Sequence, residues 1–83
     1  MQVKLFTIKG CSNCQLVKKH LDREEINYKL IDCDENMEET VTAVKAAGSD
    51  ILPLLCYTMD EGDNYIVGYD KENLEKLIKL CKS

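Results

Sequence analysis

The sequence predicts an α/β domain of element order β-α-β-α-β-β-α, built as a four-stranded mixed sheet with helices on both faces. Three observations carry this prediction. Short β-branched and apolar runs alternate with segments whose apolar residues recur at three- and four-residue spacing. Strand–helix–strand units call for a parallel pair of strands. The last two apolar runs are separated only by a polar, Gly-containing stretch, which makes them a hairpin and adds antiparallel strands to the same sheet.

The elements follow in order. Val-Lys-Leu-Phe-Thr-Ile, residues 3–8, reads as a short buried strand that stops at Lys9-Gly10. From about Ser12 to Glu25 the apolar residues Cys14, Val17 and Leu21 line one side and Lys18, Lys19, Asp22 and Arg23 the other, the pattern of an amphipathic helix. Ile26 to Asp32 is the second strand, with Tyr28, Leu30 and Ile31 as its apolar content. Met37, Val41, Val44 and Ala47 then repeat at helical spacing. Asp34, Glu35, Glu38 and Glu39 are expected in the opening turn of that helix, where carboxylates oppose the dipole favourably. Gly48-Ser49-Asp50 ends it. Ile51 to Thr58 forms a strongly apolar strand with Pro53 near its start, and Met59 to Asn64 is a polar turn leading to a partner strand at Tyr65-Ile66-Val67. Leu74, Leu77, Ile78 and Cys81 mark a last amphipathic helix, with Lys76, Lys79 and Lys82 toward its C-terminus as the dipole prefers.

At 83 residues the chain is expected to be a single domain over residues 1–83. Lys plus Arg is 11 against 15 Asp plus Glu, a net charge of −4, which argues against nucleic acid or an anionic membrane as partner. No signal-like segment and no apolar run near the roughly 18 residues of a membrane span is present, so a cytoplasmic, monomeric protein is expected. The five cysteines are odd in number, and in a reducing compartment their default state is the thiol.

The segment Gly10-Cys11-Ser12-Asn13-Cys14 stands at the junction between a strand and a helix N-terminus. Helical residues three apart have Cβ atoms about 5–6 Å apart, and a small adjustment at the cap brings them to the roughly 3.5–4.5 Å of a disulfide. Cys11 and Cys14 can therefore open and close a bridge with little backbone movement. A free thiol, with a pKa of about 8.5, is only a few per cent thiolate at neutral pH, so the attacking sulfur needs activation. Lowering its pKa by about two units takes about 2.7 kcal/mol, and a helix N-terminus supplies up to about 2. Amide N–H groups near Asn13 and Cys14, together with the positive charge of Lys9, are expected to provide the rest. Cys11 precedes the first turn and should be exposed, whereas Cys14 begins the apolar stripe and should be shielded, so Cys11 attacks and Cys14 resolves.

A Cys pair at this spacing is also half of a zinc site, but the other half is missing, so no metal site is expected: Cys33, Cys56 and Cys81 are scattered and His20 is alone on its helix. His20 is expected to be a surface or structural residue. The other three cysteines are expected to be small buried hydrophobes, with Cys33 and Cys81 partly exposed.

With a strand before Cys11-Ser12-Asn13-Cys14, Leu52-Pro53 before a strand and Gly68-Tyr69-Asp70 before the final helix, the chain resembles a glutaredoxin over nearly its whole length. The resemblance implies a thioredoxin-like fold and a thiol-disulfide oxidoreductase that reduces protein disulfides or glutathione mixed disulfides. It implies no bound cofactor, glutathione as co-substrate, and a Pro53 that is cis and faces the Cys pair. A cis X-Pro bond would leave the backbone N–H and C=O of Leu52 free to pair with an extended thiol substrate. It further implies that Gly68, Tyr69 and Asp70 help bind the γ-glutamyl end of glutathione, with Asp70 also suited to be an N-cap. Lys9, Asn13, Leu52 and Pro53 complete the expected substrate-binding set.

The chain departs from the family pattern at several places. Ser12 and Asn13 replace the usual Pro and Tyr between the cysteines, and Lys9 lies two rather than three residues before Cys11. Ile51 stands where Thr is usual, Val67 precedes Gly68 where a second Gly is usual, and Lys71 replaces the second of two Asp. Several of these features also suit the ribonucleotide-reductase redoxins, which take electrons from thioredoxin reductase. The alternatives carried forward are such a redoxin and a module that bridges a [2Fe–2S] cluster between two chains through Cys11 and glutathione.

Overall fold

The computed structural model describes residues 2–83. Its elements are β1 (Gln2–Thr7), α1 (Ser12–Arg23), β2 (Lys29–Asp32), α2 (Met37–Ala47), β3 (Leu54–Met59), β4 (Gly62–Val67) and α3 (Lys71–Lys82). The sheet order is β2-β1-β3-β4. β1 runs parallel to β2 and antiparallel to β3, which is antiparallel to β4. Successive side chains of a strand point to opposite faces, and the core divides accordingly. Val3, Leu5, Leu55 and Ile66 meet Val17 and Leu21 of α1 and Leu74, Leu77 and Ile78 of α3 on one face. Phe6, Ile31, Leu54 and Cys56 meet Ala43 of α2 on the other. The expected mixed sheet with helices on both faces is what the chain forms.

Element edges differ from the sequence expectation for local reasons. α1 ends at Arg23 rather than Glu25, because Glu25 takes a left-handed φ of 57° and its N–H turns back to the Asp22 carbonyl at 3.1 Å. The Ile26 N–H donates to the Leu21 carbonyl at 2.9 Å, so the chain is still leaving the helix there and β2 starts only at Lys29. Leu30, part of the apolar content of β2, is 48% exposed on this edge strand. Ladder pairing of β3 begins at Leu54, after Pro53, which has no N–H to give. The hairpin is longer than its apolar content: Met59 pairs with Gly62 around Asp60-Glu61, and Thr58 donates its hydroxyl to the Asp63 carboxylate at 2.9 Å.

α2 is rotated from its expected phase. Met37 and Val41 are 67% and 46% exposed, and the side facing the sheet runs through Ala43, with Val44 and Ala47 packed at its margin. The helix also starts later. Asp34 and Glu35 fall in the preceding turn, held where Asp32 accepts the Asp34 N–H on its carboxylate at 2.9 Å and the Asn36 N–H on its carbonyl at 3.0 Å.

The turn after α1 carries a titratable device. Tyr28 donates its hydroxyl to Asp22 at 2.7 Å, and partial burial plus that carboxylate push the phenol up to about 12. The Tyr28 hydrogen bond and the Lys18 ammonium in turn hold the Asp22 carboxyl below its ordinary value. Because the folded phenol is the weaker acid, its contribution to stability is complete below the unfolded value of about 10 and is lost as pH rises toward about 12. An absorbance titration is expected to lose one phenolate equivalent near pH 12 on Tyr28→Phe; an unchanged number of phenolates titrating there would contradict the assignment.

Candidate redox site at the end of the sheet

β1 delivers the chain into Lys9-Gly10-Cys11, where Gly10 takes a φ of 82° that a β-carbon would strain and the Cys11 N–H donates to the Ile8 carbonyl at 3.3 Å. Cys11 is the N-cap of α1, with extended backbone at φ −90° and ψ 107°. Its Sγ accepts the backbone N–H of Cys14 at 3.1 Å, the bond an oxygen makes in an ordinary N-cap. The Asn13 amide, expected to share this role, makes no such contact. Cys11 and Cys14 are joined as a disulfide with Cα atoms 5.2 Å apart. Cys11 is partly exposed and Cys14 is 1% exposed, the expected asymmetry. No acidic residue lies in the first turn of α1 to oppose a negative sulfur. Lys9 is exposed and, among the described residues, makes no hydrogen bond or ion pair.

The register brings the other named segments to the same end of the sheet. Phe6 pairs with Leu54, and Leu54 pairs with Val67, so Leu52-Pro53 and Gly68-Tyr69-Asp70 emerge beside the end of β1. The Leu52–Pro53 peptide is cis. The Gly68 N–H donates to the Pro53 carbonyl at 2.8 Å and ties the two loops together. Gly68 has a φ of 69°, and a β-carbon there would meet Ile51 Cγ2 at 3.7 Å, so conformation rather than space requires the glycine.

Asp70 caps α3: its Oδ1 accepts the Asn73 N–H at 3.2 Å and its Oδ2 accepts from Asn73 Nδ2 at 2.7 Å. Asp70→Ala is expected to lower stability by about 0.5–2 kcal/mol, read by denaturant unfolding. No change would mean that the cap contributes nothing. Tyr69 is 37% exposed, and its ring lies 6.4 Å from that of His20 at 49°. That contact was not legible in sequence, since the two residues lie on different elements. His20 accepts from Arg23 at 3.3 Å through Nε2, while its Nδ1 is buried without a partner.

The remaining cysteines sit apart from this pair. Cys33 and Cys56 are buried, in keeping with small hydrophobes, and Cys81 is partly exposed. Burial pushes the Cys56 and Cys81 thiols above their ordinary value, and for Cys56 the Asp63 charge adds to it. Among the described residues no three His, Cys, Asp or Glu side chains gather as a metal-ligand set, and no helix is long and apolar enough to cross a membrane.

A mixed four-stranded sheet, a cysteine pair opening the first helix and a cis-proline loop beside it define a thioredoxin-fold redox protein with a Cys11–Cys14 disulfide. The glutaredoxin family model matches residues 3–56, and the chain belongs to the glutaredoxin family. Similar solved structures include glutaredoxin (grx-1) from Archaeoglobus fulgidus, at 24% identity and a TM-score of 0.79, covering 94% of this chain and 86% of that one. The glutaredoxin-like NrdH-redoxin from Escherichia coli is 21% identical with a TM-score of 0.75, covering 93% and 95%. A buckwheat glutaredoxin in complex with glutathione is 22% identical with a TM-score of 0.71, covering 96% and 76%. At these identities the likeness is one of fold. No curated protein matches in sequence.

Proposed function

We propose that the protein is a dithiol oxidoreductase that reduces protein disulfides or glutathione mixed disulfides through Cys11 and Cys14. The observation that carries this is the position of Cys11: an N-cap sulfur that receives the Cys14 N–H and is already bonded to the buried Cys14 sulfur. In the reduced protein, Cys11 thiolate attacks a substrate disulfide, a Cys11–substrate bond forms, and one substrate sulfur leaves as thiolate and takes a proton. Cys14 then loses its proton, attacks the Cys11 sulfur and releases the second substrate thiolate. Two electrons have passed to the substrate, and the Cys11–Cys14 disulfide remains.

Two molecules of glutathione, or one turnover of thioredoxin reductase, would restore the dithiol. Glutathione is the donor that membership of the family favours, with Gly68, Tyr69 and Asp70 receiving its γ-glutamyl end and Lys9, Asn13, Leu52 and Pro53 flanking its sulfur. The redoxin reading is favoured by Ser12-Asn13 between the cysteines and by Lys9 at its shifted place. Offering the oxidised protein to glutathione and to thioredoxin reductase in parallel decides between them: reduction by glutathione is expected, and reduction by the reductase alone would assign the redoxin role. The cluster-bridging reading uses Cys11 without Cys14 and predicts visible absorption after anaerobic purification, whereas the dithiol reading expects a colourless protein. A cytoplasmic monomer suits the glutaredoxin and redoxin roles, whereas the cluster-bridging role needs two chains.

A further inference from the structure

The rotation of α2 that leaves Met37 and Val41 exposed opens an apolar groove of about 400 Å³, lined by these two residues and by Ile8, Cys33, Val44 and Leu52. Large exposed apolar side chains clustered on one surface mark an interaction site rather than ordinary surface scatter. Ile8 carries the carbonyl that accepts the Cys11 N–H, and Leu52 precedes Pro53, so the groove runs directly into the redox site. Its rim is acidic. Asp34 and Asp50 border it, Glu38 borders the adjoining hollow beside Met37 and Val41, and among the described lining residues Lys45 is the one cation. Among the described residues Asp34, Glu38, Lys45 and Asp50 form no ion pair.

We infer that this groove receives the polypeptide flanking the target disulfide of a protein substrate, a segment with a large apolar side chain near its cysteine and a basic residue beyond it. The inference rests on the dithiol reading and narrows its substrate class. Glutathione has no large apolar side chain and carries net negative charge, so it would leave the groove unfilled and meet a like-charged rim. A protein segment with a Leu or Met close to the disulfide fills the groove, and an Arg or Lys pairs with Asp34 or Asp50. Docking there places the substrate disulfide at Cys11 before exchange begins.

The test uses single-turnover oxidation of the reduced protein, read by alkylating the remaining thiols and measuring mass. Three oxidants are compared: hydroxyethyl disulfide and two disulfide-linked peptide dimers, one with Leu and Arg flanking the cysteine and one with Ser and Glu at those places. The Leu/Arg peptide is expected to react at least about tenfold faster than the Ser/Glu peptide. The surface double variant Met37→Glu, Val41→Glu is expected to erase that preference while the rate with hydroxyethyl disulfide stays at the wild-type value, which also shows that the variant is folded. Equal rates for the two peptides, or a preference that survives in the variant, would overturn the inference and leave the dithiol reading standing. A wild-type dimer that the variant dissolves in sedimentation would assign the face to a second copy and likewise overturn it. No reaction with any of the three disulfides removes the dithiol reading, and this inference with it.

Discussion

Cys11→Ser is expected to abolish disulfide reduction, with a loss of at least about a thousandfold, while the protein keeps its fold. The reason is chemical rather than architectural. A serine hydroxyl accepts the Cys14 N–H as readily as sulfur does, so the cap and the helix survive. The hydroxyl ionises far outside the physiological range and forms no bond equivalent to a disulfide, so neither attack nor transfer to Cys14 can occur. Turnover assays with a protein disulfide check this, and full activity in the variant would remove Cys11 from the mechanism. Cys14→Ser is the partner experiment. It is expected to lose reduction of protein disulfides and to retain deglutathionylation, because Cys11 alone can exchange with a glutathione mixed disulfide. Unchanged reduction of protein disulfides in that variant would take the resolving role from Cys14.

Leu5→Ala is expected to be the most damaging change outside the cysteine pair, lowering stability by about 2–5 kcal/mol. Leu5 has no exposed surface and lies on the inner strand β1, between Leu30 and Leu55 in register, in the cluster that joins α1 and α3 to the sheet. At roughly 0.05–0.15 kcal/mol per residue, 83 folded residues carry about 4–12 kcal/mol in total, so this one truncation removes a large share. Thermal unfolding should show it as a fall in Tm of roughly 4–8 °C for each kcal/mol lost. A loss below about 1 kcal/mol would mean that the surrounding side chains collapse onto the gap. Since β1 also carries the chain into Cys11, the same variant should release the α1 N-cap at a lower temperature.

What the sequence made legible follows the physics of each segment. The 14, 17, 21 stripe of α1 and the 74, 77, 78 stripe of α3 are strongly apolar against charged neighbours, so their helical phase could be read directly and both cover the sheet as expected. α2 could not be phased this way. Its apolar residues are spread around the axis, and the side that packs is defined by Ala43, Val44 and Ala47 rather than by its largest side chains. The groove was not legible for the same reason, because Met37 and Val41, which share the helical repeat with Val44 and Ala47, line it instead of packing on the sheet. β4 extends beyond its apolar content through Gly62, Asp63 and Asn64, because backbone ladders need no apolar side chain. For the site, the capping sulfur and the asymmetry of Cys11 and Cys14 were visible in spacing and phase. The link from Gly68 to Pro53 and the packing of His20 against Tyr69 depend on strand register and helix placement, which a single sequence does not display.

The helix start as the source of Cys11 reactivity is tested most directly by the pH dependence of alkylation in the reduced protein, with each thiol identified by mass. Cys11 is expected to react first and to reach its plateau rate well below the ordinary thiol value of about 8.5, with Cys14 following only at higher pH. A Cys11 that is half-reactive only at or above that value, or a Cys14 that reacts before it, would contradict the account.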